Sequence, residues 1–521
     1  MKIVIVGGGF AGWFTAKTLE KNTTHLVTII DSSVASRNGI GVGESLGFGI
    51  EKPFRELAGL ENWMTQCGGL PKLGIKFNKL FDDQVYFGTH WGGWKLNSLK
   101  TKNVRDLNVE DDETHTFNED NILYVLLYMY KEGLITKKQY IDTCNFHSFV
   151  LENQIKPYTK EGKLMVCATS YHADSEQMVE TLKSLPRPRL KHINKHVNQV
   201  NTTDNGYIKN IVLADGEVVN ADLFIDCSGL ARVIIGKTDA YFNDYSDQLN
   251  NSVVTVQTQY INPEKDMLGA TEFIGYDCGY GFKVNLYHRI GNGILYNDKV
   301  ISDEEAQDEF LRKLTLPTIT EPRKIKWSPG YHTTPFNKNC LALGMSAGFI
   351  EPWDANLISR LCSELYMLLG VLNGKATRSE YNNRYTEIIK EIIDRVKFEF
   401  CLSKRDTKYW KWFKEVNSSD ALLNNIKDET IHKTIQKTRI FAIRGIYFRN
   451  LITKDVDLSK LEINPPSAEH ISVAFKYIKD IEEQVKEYND GTYDNYYTWV
   501  KDTFYNGKTN LEVKQEIMGS V

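Results

Sequence analysis

Residues 2–16 read KIVIVGGGFAGWFTA and decide the fold of this chain. The apolar run before the glycines predicts a buried strand, and the segment after them predicts a helix with an apolar face. Gly7, Gly9 and Gly12 form a GxGxxG pattern between the two. In a dinucleotide-binding turn the first glycine allows the bend, the second lets the backbone approach a pyrophosphate, and the third lets helix and strand pack closely. We therefore predict a dinucleotide site here, in preference to a purely structural turn.

The chain after this turn completes the first half of a Rossmann unit. The strand HLVTIID ends at Asp31, about 20 residues beyond the glycines, where a carboxylate can accept hydrogen bonds from ribose hydroxyls. Ala11 lies within the glycine turn, and we assign it to the same site. The glycine pattern does not distinguish NAD from FAD. Because no second GxGxxG follows for a nicotinamide dinucleotide, a flavin bound here would be reduced by a separate reductase or a reduced carrier.

Three later segments favour FAD. They are GIGVGES at 39–45, ADLFIDCSG at 221–229 and NCLALGMSAGFIEP at 339–352, and together they resemble the secondary fingerprints of flavoprotein monooxygenases. The cofactor-binding residues assigned on this basis are Gly43, Glu44, Ser45, Asp226, Gly344 and Gly348.

The spacing of these segments predicts an α/β fold of the flavoprotein monooxygenase type. A discontinuous Rossmann-type FAD domain carries an inserted mixed-sheet lobe, and the chain ends in a helical region. The predicted FAD-binding domain comprises residues 1–50, 150–235 and 335–372, and the predicted substrate-binding lobe with its helical region comprises residues 51–149, 236–334 and 373–521.

Composition excludes several classes of function. The chain has 521 residues with a formal net charge of -4, so it lacks the basic excess that nucleic-acid binding requires. No apolar run reaches the roughly 18 residues of a membrane span. The 8 cysteines include no CxxC pair, which predicts reduced thiols in a cytoplasmic protein and no metal site. The sequence does not indicate an oligomeric state.

Up to about Trp410 the sequence is similar to the flavin-dependent tryptophan halogenase family. The matching stretches are GGGFAGW at 7–13, IGVGES at 40–45, LGIKF at 73–77 with the preceding Lys72, SYHADSEQMVETL at 170–182, ADLFIDCSG at 221–229, ISDEEA at 301–306, GFIEP at 348–352 and LSKRDTKYW at 402–410. Within the family it resembles the divergent halogenases of marine viruses, one of which is an iodinating enzyme. Several motifs in the family order are more informative than any one of them.

The resemblance implies an enzyme that uses reduced FAD, oxygen and a halide to make hypohalous acid, which travels through an internal tunnel to a lysine. We place that lysine at Lys76, flanked on the opposite strand face by Ile75 and Phe77. A desolvated amine can donate a hydrogen bond to the electrophile or become nucleophilic. The alternative is a solvated lysine, because Gly74 and Asn78 extend a polar strand face on either side of it.

A carboxylate is the second catalytic group that the resemblance implies. It corresponds to Asp354, two residues after Pro352, with Glu351 as its rival. Either carboxylate can accept the proton that the ring releases, or can simply favour a helix N-terminus. The family's halide-binding turn corresponds to Ala355, Asn356 and Leu357, which differ from the family's small residues, and we therefore predict bromide or iodide in preference to chloride.

Aromatic residues indicate the acceptor. The family's WxWxIP signature appears as Tyr280, Phe282 and Asn285 in YGFKVN, which puts the strict exclusion of oxygenation in doubt. Planar side chains stack on a planar substrate, although such residues are more often core. The residues assigned to halide or substrate contact are Pro352, Asn356, Leu357, His90, Trp91 and Trp410.

The sequence as a whole predicts an FAD-dependent halogenase of an electron-rich aromatic small molecule, with a separate flavin reductase as partner. A flavin monooxygenase that transfers oxygen is the alternative enzyme. A flavin-binding protein whose activity has decayed is the third reading, because of the departures at Asp354, Leu357 and Asn285.

Overall fold

The structure is a computed structural model. It describes residues 1–32, 42–46, 51–58, 63–81, 83, 85–88, 122–157, 170–353, 356–401, 403–417 and 464–519. Three residues of the predicted site, His90, Trp91 and Asp354, lie outside the described residues, as does Ala355. The assignments of these residues stay predictions.

The element order is that of an α/β protein with a helical C-terminal region. The strands in chain order are β1 (Lys2–Val6), β2 (Leu26–Asp31), β3 (Glu44–Ser45), β4 (Leu70–Lys72), β5 (Gly74–Asn78), β6 (Val85–Gly88), β7 (Ser170–Ala173), β8 (Leu190–Asn194), β9 (Val197–Thr202), β10 (Ile208–Leu213), β11 (Val218–Val219), β12 (Leu223–Asp226), β13 (Phe242–Asp244), β14 (Ser252–Thr258), β15 (Ala270–Gly275), β16 (Tyr280–Asn285), β17 (Ile290–Tyr296), β18 (Arg323–Lys326), β19 (Gly330–His332), β20 (Phe336–Asn337), β21 (Cys340–Ala342) and β22 (Gly348–Phe349). The helices are α1 (Phe10–Asn22), α2 (Glu51–Ala58), α3 (Trp63–Gln66), α4 (Ile122–Lys131), α5 (Lys137–Glu152), α6 (Ser175–Ser184), α7 (Pro263–Asp266), α8 (Asp303–Lys313), α9 (Asn356–Leu372), α10 (Arg378–Cys401), α11 (Lys408–Asn417), α12 (Ala468–Asn489), α13 (Tyr496–Phe504) and α14 (Asn510–Gly519).

The first strand lies in the middle of a six-stranded sheet of order β20-β21-β12-β1-β2-β8. Its strand pairs are parallel except at the β20–β21 edge. Ile3, Val4, Ile5 and Val6 are all buried, as expected for a parallel strand covered on both faces. Helix α1 follows the glycine turn and buries Trp13 and the other apolar residues of its inner face. This sheet confirms the predicted Rossmann-type domain.

A seven-stranded mixed sheet forms the second lobe, in the order β18-β14-β17-β16-β15-β5-β6. Strand β5 runs parallel to β15, with Lys76 opposite Glu272. Ile75 and Phe77 are buried in the main core, as predicted, while Lys76 and Asn78 belong to the other face. The sheet therefore has one core face and one polar face at β5.

Small sheets connect the two lobes. Strands β3, β4 and β7 form one of them, in the order β3-β7-β4, and it joins the GIGVGES segment to the start of the β5 run. Another has the order β13-β19-β22. Its β19–β22 pair crosses the predicted boundary between residues 334 and 335. The exact domain boundaries stay a prediction.

A second hydrophobic core lies among the helices. It draws residues from α4, α5, α12, α13 and α14, together with the β16–β17 connection. The rings of Tyr287 and Tyr505 stack at 3.7 Å between centroids and tie the C-terminal helices to the mixed sheet. Among the described helices, none is long and apolar enough to cross a membrane.

Candidate active site

The glycine turn has the geometry that a dinucleotide requires. Gly7 has a φ of +125°, and a Cβ there would lie 2.2 Å from the carbonyl oxygen of Cys227. At Gly12 a Cβ would lie 1.8 Å from the Gly7 oxygen, which is why helix and strand can approach closely only with glycine. A Cβ on Gly9 would meet no atom within 4 Å, so the backbone is open to a ligand there. The turn fits the pyrophosphate of FAD.

Asp31 ends β2 beside this turn, as predicted, but its carboxylate already has protein partners. Oδ2 accepts a hydrogen bond from the Trp13 indole N–H at 3.1 Å, and Oδ1 lies 3.1 Å from Nε2 of His192. The side chain is buried. These contacts fix the end of β2 against α1 and β8, and binding of a ribose by Asp31 stays a prediction.

Asp226, at the end of β12, binds groups of the protein itself. Its carboxylate is 0% exposed and accepts five hydrogen bonds from protein groups. The donors are the backbone and hydroxyl of Ser228, the hydroxyl of Ser346, and the backbone N–H groups of Ile234 and Ile235. The described donors all belong to the loops around the site, so Asp226 organises those loops, and its direct contact with the cofactor stays a prediction.

An ion pair that sequence reasoning missed holds the Gly344–Gly348 junction. Arg360 Nη2 donates to the carbonyl oxygens of Gly344 at 3.1 Å and Gly348 at 2.6 Å. Its partner Glu364 accepts from the Gly344 N–H at 2.9 Å. A Cβ on Gly344 would lie 3.2 Å from the Cβ of Ala11, so the junction packs directly against the glycine turn. An Arg and a Glu four residues apart on an otherwise apolar helix face are the sequence signal for this pair.

The GIGVGES segment enters the site as the short strand β3. Gly43 has a φ of +84°, a conformation that favours glycine. Burial, with the nearby charge of Asp174, raises the pKa of Glu44 to about 7. Asp174 itself accepts a 2.6 Å hydrogen bond from Arg289 and remains ionised, since its pKa is lowered. Glu44 is therefore the carboxyl of this pair that holds a proton near neutral pH.

The structure separates the two lysines of the KLGIKF run at 72–77. Lys76 forms a 3.1 Å ion pair with Glu272, its side chain is 24% exposed, and Asn78 also donates to that carboxylate at 2.8 Å. Glu272 and Asn78 line an open cleft of about 540 Å³ on the polar face of the mixed sheet. These contacts agree with the alternative reading of Lys76 as part of a polar strand face.

Lys72, four residues earlier, is the buried lysine. It is only 2% exposed, and its Nζ donates to Ser45 Oγ at 2.7 Å. Ser45 belongs to the predicted flavin-binding segment, so this amine lies where the cofactor segment meets the mixed sheet. This burial makes Lys72 a second candidate for the catalytic lysine, and the assignment of Lys76 stays a prediction. Residues 70–75 are buried in the structure, and this burial distinguishes Lys72 from Lys76. The sequence alone shows two lysines four residues apart and does not reveal which of them is buried.

Glu351 is fully buried, and Asn250 binds its carboxylate. Its two carboxylate oxygens accept from the backbone N–H and the side-chain amide of Asn250, each at 3.1 Å. Asn250 in turn accepts from the Tyr409 hydroxyl at 2.9 Å. Both oxygens therefore have structural partners, and Glu351 fixes the start of the loop that leads to Asp354. The arrangement favours a supporting role for this carboxylate.

The titration of Glu351 gives a pH-dependent prediction. Burial raises its pKa from an ordinary 4.5 to about 7, although the hydrogen bonds from Asn250 oppose the shift. The folded protein therefore keeps a proton that the unfolded chain has released between about pH 4.5 and 7, so this group's contribution to stability falls as pH rises through that window. In Glu351→Gln that loss is absent.

We expect the free energy of unfolding of Glu351→Gln, minus that of the natural protein, to rise with pH by up to about 1.4 kcal/mol per pH unit in this window. Urea denaturation at several pH values measures the difference. Glu44 titrates in both proteins, so its contribution cancels from the difference in the free energy of unfolding. A difference that does not change with pH would show that Glu351 keeps an ordinary pKa.

Side-chain contacts hold the chain at Trp353 and at Asn356, on either side of residues 354–355, which lie outside the described residues. The Trp353 indole donates to Glu399, and its ring packs 4.3 Å from Phe273 and 4.8 Å from Phe400 between centroids. Asn356 Nδ2 donates to the Trp353 carbonyl oxygen at 2.5 Å. The Asn356 side chain therefore closes the loop upon itself, and its role in halide contact stays a prediction.

The other predicted contact residues of this region divide between surface and core. Pro352 is exposed, and Leu357 is half-buried in the first turn of α9. Trp410 is 0% exposed, and its indole N–H donates to the Tyr276 carbonyl oxygen at 2.9 Å. Its burial favours a packing role, and the assignment of Trp410 to substrate contact stays a prediction.

The residues of the eroded WxWxIP signature are also core residues. Tyr280 packs 5.4 Å from Trp353 and 4.7 Å from Phe400, measured between ring centroids. Phe282 is buried as well. Asn285 donates to the Ala270 carbonyl oxygen at 3.2 Å. Packing thus explains the two aromatic positions.

Across the described ranges, no group of three or more His, Cys, Asp or Glu side chains could hold a metal ion.

A parallel-sheet domain with an open glycine turn, joined to a seven-stranded mixed sheet, has the architecture expected of the monooxygenase-like flavoproteins, and the buried Lys72 lies on the small β3-β7-β4 sheet. The profile of the tryptophan halogenase family matches residues 2–442. The chain therefore belongs to the tryptophan halogenase family. It is an FAD-dependent oxidoreductase of the halogenase class, for which a separate reductase supplies reduced flavin.

Relatives and solved structures agree with this assignment. The chain is 26% identical over 451 residues to tryptophan 7-halogenase RebH of Lentzea aerocolonigenes, covering 82% of this chain and 81% of that protein. It is 25% identical over 472 residues to tryptophan 6-halogenase ThaL of Streptomyces albogriseolus, covering 86% and 85%. The tryptophan 6-halogenase SttH of Streptomyces toxytricini has a similar fold, with a TM-score of 0.74, 21% identity, and coverage of 97% and 100%. The VirX1 apo structure aligns with a TM-score of 0.73, 22% identity, and coverage of 97% and 99%. The family and the fold predicted from the sequence are confirmed.

Proposed function

We propose that this protein halogenates an electron-rich aromatic small molecule and that Lys72 delivers the halogen. The observation that carries the proposal is a lysine amine, 2% exposed, bonded to Ser45 of the flavin-binding segment. Reduced flavin, when bound, supplies the electrons with which oxygen oxidises a halide to hypohalous acid. The chain's own residues then hold the cofactor, exclude water and position the electrophile.

Burial suits the Lys72 amine to this task. Few water molecules can reach an amine that is 2% exposed, so water competes little with hypohalous acid for its hydrogen bonds, and the amine can hold the acid close to an acceptor ring. Free hypohalous acid would instead react without selectivity in solution. Lys76 is less suited, because Glu272 already occupies its ammonium group at 3.1 Å.

Asp354 is the carboxylate that we propose to accept the ring proton. Glu351, its rival, has both oxygens bonded to Asn250 and is enclosed by the core. Asp354 is one methylene shorter than the family's glutamate, and a carboxylate base has to come within hydrogen-bond reach of the proton it removes. We expect the acceptor to sit close to this loop.

The halide, the acceptor and the cellular location are proposed from this chain's departures from the family and from its relatives. The departures at Asn356 and Leu357 support bromide or iodide in preference to chloride, because these anions are more easily oxidised and tolerate a poorer site. The names of the curated relatives make tryptophan the first acceptor to test. The resemblance to viral iodinating halogenases supports iodide as the first halide. The free cysteines support a cytoplasmic protein.

Product analysis tests the proposal. The enzyme, a flavin reductase and tryptophan or another electron-rich arene are incubated with iodide, bromide, chloride or no halide, and the products are identified by mass spectrometry. We expect a halogenated product that requires iodide or bromide. A hydroxylated product formed without halide would establish the monooxygenase instead. Tight FAD binding without turnover on any arene would indicate decayed activity.

A further inference from the structure

A chain of hydrogen bonds extends from Lys72 into the protein interior. Lys72 Nζ donates to Ser45 Oγ at 2.7 Å, Thr271 Oγ1 donates to the same oxygen at 2.9 Å, and His172 Nε2 lies 2.8 Å from Thr271 Oγ1. Thr271 is 3% exposed and His172 is 0% exposed. The four residues come from β4, β3, β15 and β7, where the two lobes meet.

The donors and acceptors along this chain have one consistent order. With the single hydroxyl proton of Thr271 donated to Ser45, the Thr271 oxygen accepts from His172 in the tautomer that carries the proton on Nε2. The Ser45 oxygen accepts from both Lys72 and Thr271, so the hydroxyl cannot rotate without losing a bond. Each member fixes the next one.

The charge state of His172 suits this arrangement. Burial, together with the positive charge of Lys72, lowers the pKa of His172 to about 3. The imidazole is therefore neutral at any pH at which the enzyme would work, and it adds no second cation beside the lysine. A neutral donor can orient Thr271 without competing for the electrophile.

We propose that Thr271 and His172 are positioning residues that lock the Ser45 hydroxyl as the acceptor for the Lys72 amine and so aim the amine at the electrophile. This inference rests on the proposed role of Lys72. Neither residue touches the reacting atoms. Their effect is on geometry, and a displacement of about 1 Å in a catalytic group can cost roughly 100-fold in rate.

Thr271→Val tests the proposal, because valine has nearly the shape of threonine and lacks the hydroxyl. We expect the kcat for halogenation to fall by at least about tenfold, with KM for the arene within a factor of about three and the oxidation of reduced flavin unchanged. Hypohalous acid then escapes, which a soluble β-diketone trap detects. Thr271→Ser keeps the hydroxyl and should restore the coupling of flavin oxidation to halogenation, which is the yield of halogenated product per reduced flavin oxidised.

Two further variants keep the test decisive. Thr258 lies on β14 of the same sheet, and its buried hydroxyl binds Asn292 rather than Ser45. Thr258→Val should therefore leave the coupling of flavin oxidation to halogenation unchanged. If Thr271→Val fails to fold, His172→Phe is compared with His172→Gln, whose amide can still donate. Natural coupling in Thr271→Val or in a folded His172→Phe would overturn the proposal. Unchanged halogenation in Lys72→Met would instead overturn the proposed role of Lys72, and the absence of any halogenated product from the natural protein would overturn the proposed function.

Discussion

Replacing Lys72 with methionine is expected to lower the rate of arene halogenation by roughly 1,000-fold or more, a loss typical of removing a catalytic group. Methionine keeps the length and burial of the side chain and removes the amine that would hold the electrophile. FAD binding and the oxidation of reduced flavin should persist, because the glycine turn is untouched. Halogenated product is measured by chromatography, and bound FAD by absorbance.

Lys76→Met is the matched control on the same strand run. Lys76 is partly exposed and its ammonium group is paired with Glu272 rather than with the flavin-binding segment, so its loss should change the halogenation rate by less than about threefold. The opposite outcome, an inactive Lys76 variant and an active Lys72 variant, would restore the assignment made from sequence and remove Lys72 from the mechanism.

The difference between these lysines shows why sequence patterns locate a site only approximately. Lys72 and Lys76 are four residues apart, so alternation along an extended chain puts them on the same face. They differ in their neighbours: β4 pairs with β7 beside Ser45, whereas β5 pairs with β15 beside Glu272. Those partners are distant in sequence, and no local pattern reveals them.

The fold was more accessible to prediction than the site. The strand, glycine turn and helix of residues 2–22 are contiguous, and the roles of Gly7, Gly9 and Gly12 follow from steric constraints that act over a few residues. The buried runs ending at Asp31 and Asp226 likewise predicted strands of the parallel sheet. Local sequence was sufficient wherever the constraint itself was local.

Polar residues at strand ends were harder to interpret. A carboxylate after a buried strand is equally compatible with a ligand contact and with an internal hydrogen-bond centre. The contacts of Asp226 favour the second, because its donors come from residues 228–235 and from Ser346. Glu351 is a similar case, with its partner Asn250 a hundred positions away in the chain. The aromatic run around Trp410 carries the same ambiguity between core and pocket.

Asp226→Asn is expected to lower the free energy of unfolding by about 3 kcal/mol or more, as when one partner of a buried charged network is removed. The asparagine amide would direct its own N–H groups at donors that now bind the carboxylate. Ile234 and Ile235, or the two serines, would lose their acceptor inside the protein. Urea denaturation of the FAD-free protein measures this loss independently of the cofactor.

The same variant separates a structural carboxylate from a ligand. If Asp226 bound FAD directly, Asp226→Asn would weaken FAD binding while leaving the stability of the FAD-free protein unchanged. Asp215→Asn is the control, since Asp215 is an exposed turn residue that accepts from the Glu217 N–H and pairs with Lys195, and it should cost less than about 0.5 kcal/mol. Because Asp226 holds both loops that flank the glycine turn, its loss should destabilise the FAD-free protein first, and weaker flavin binding should follow from that destabilisation.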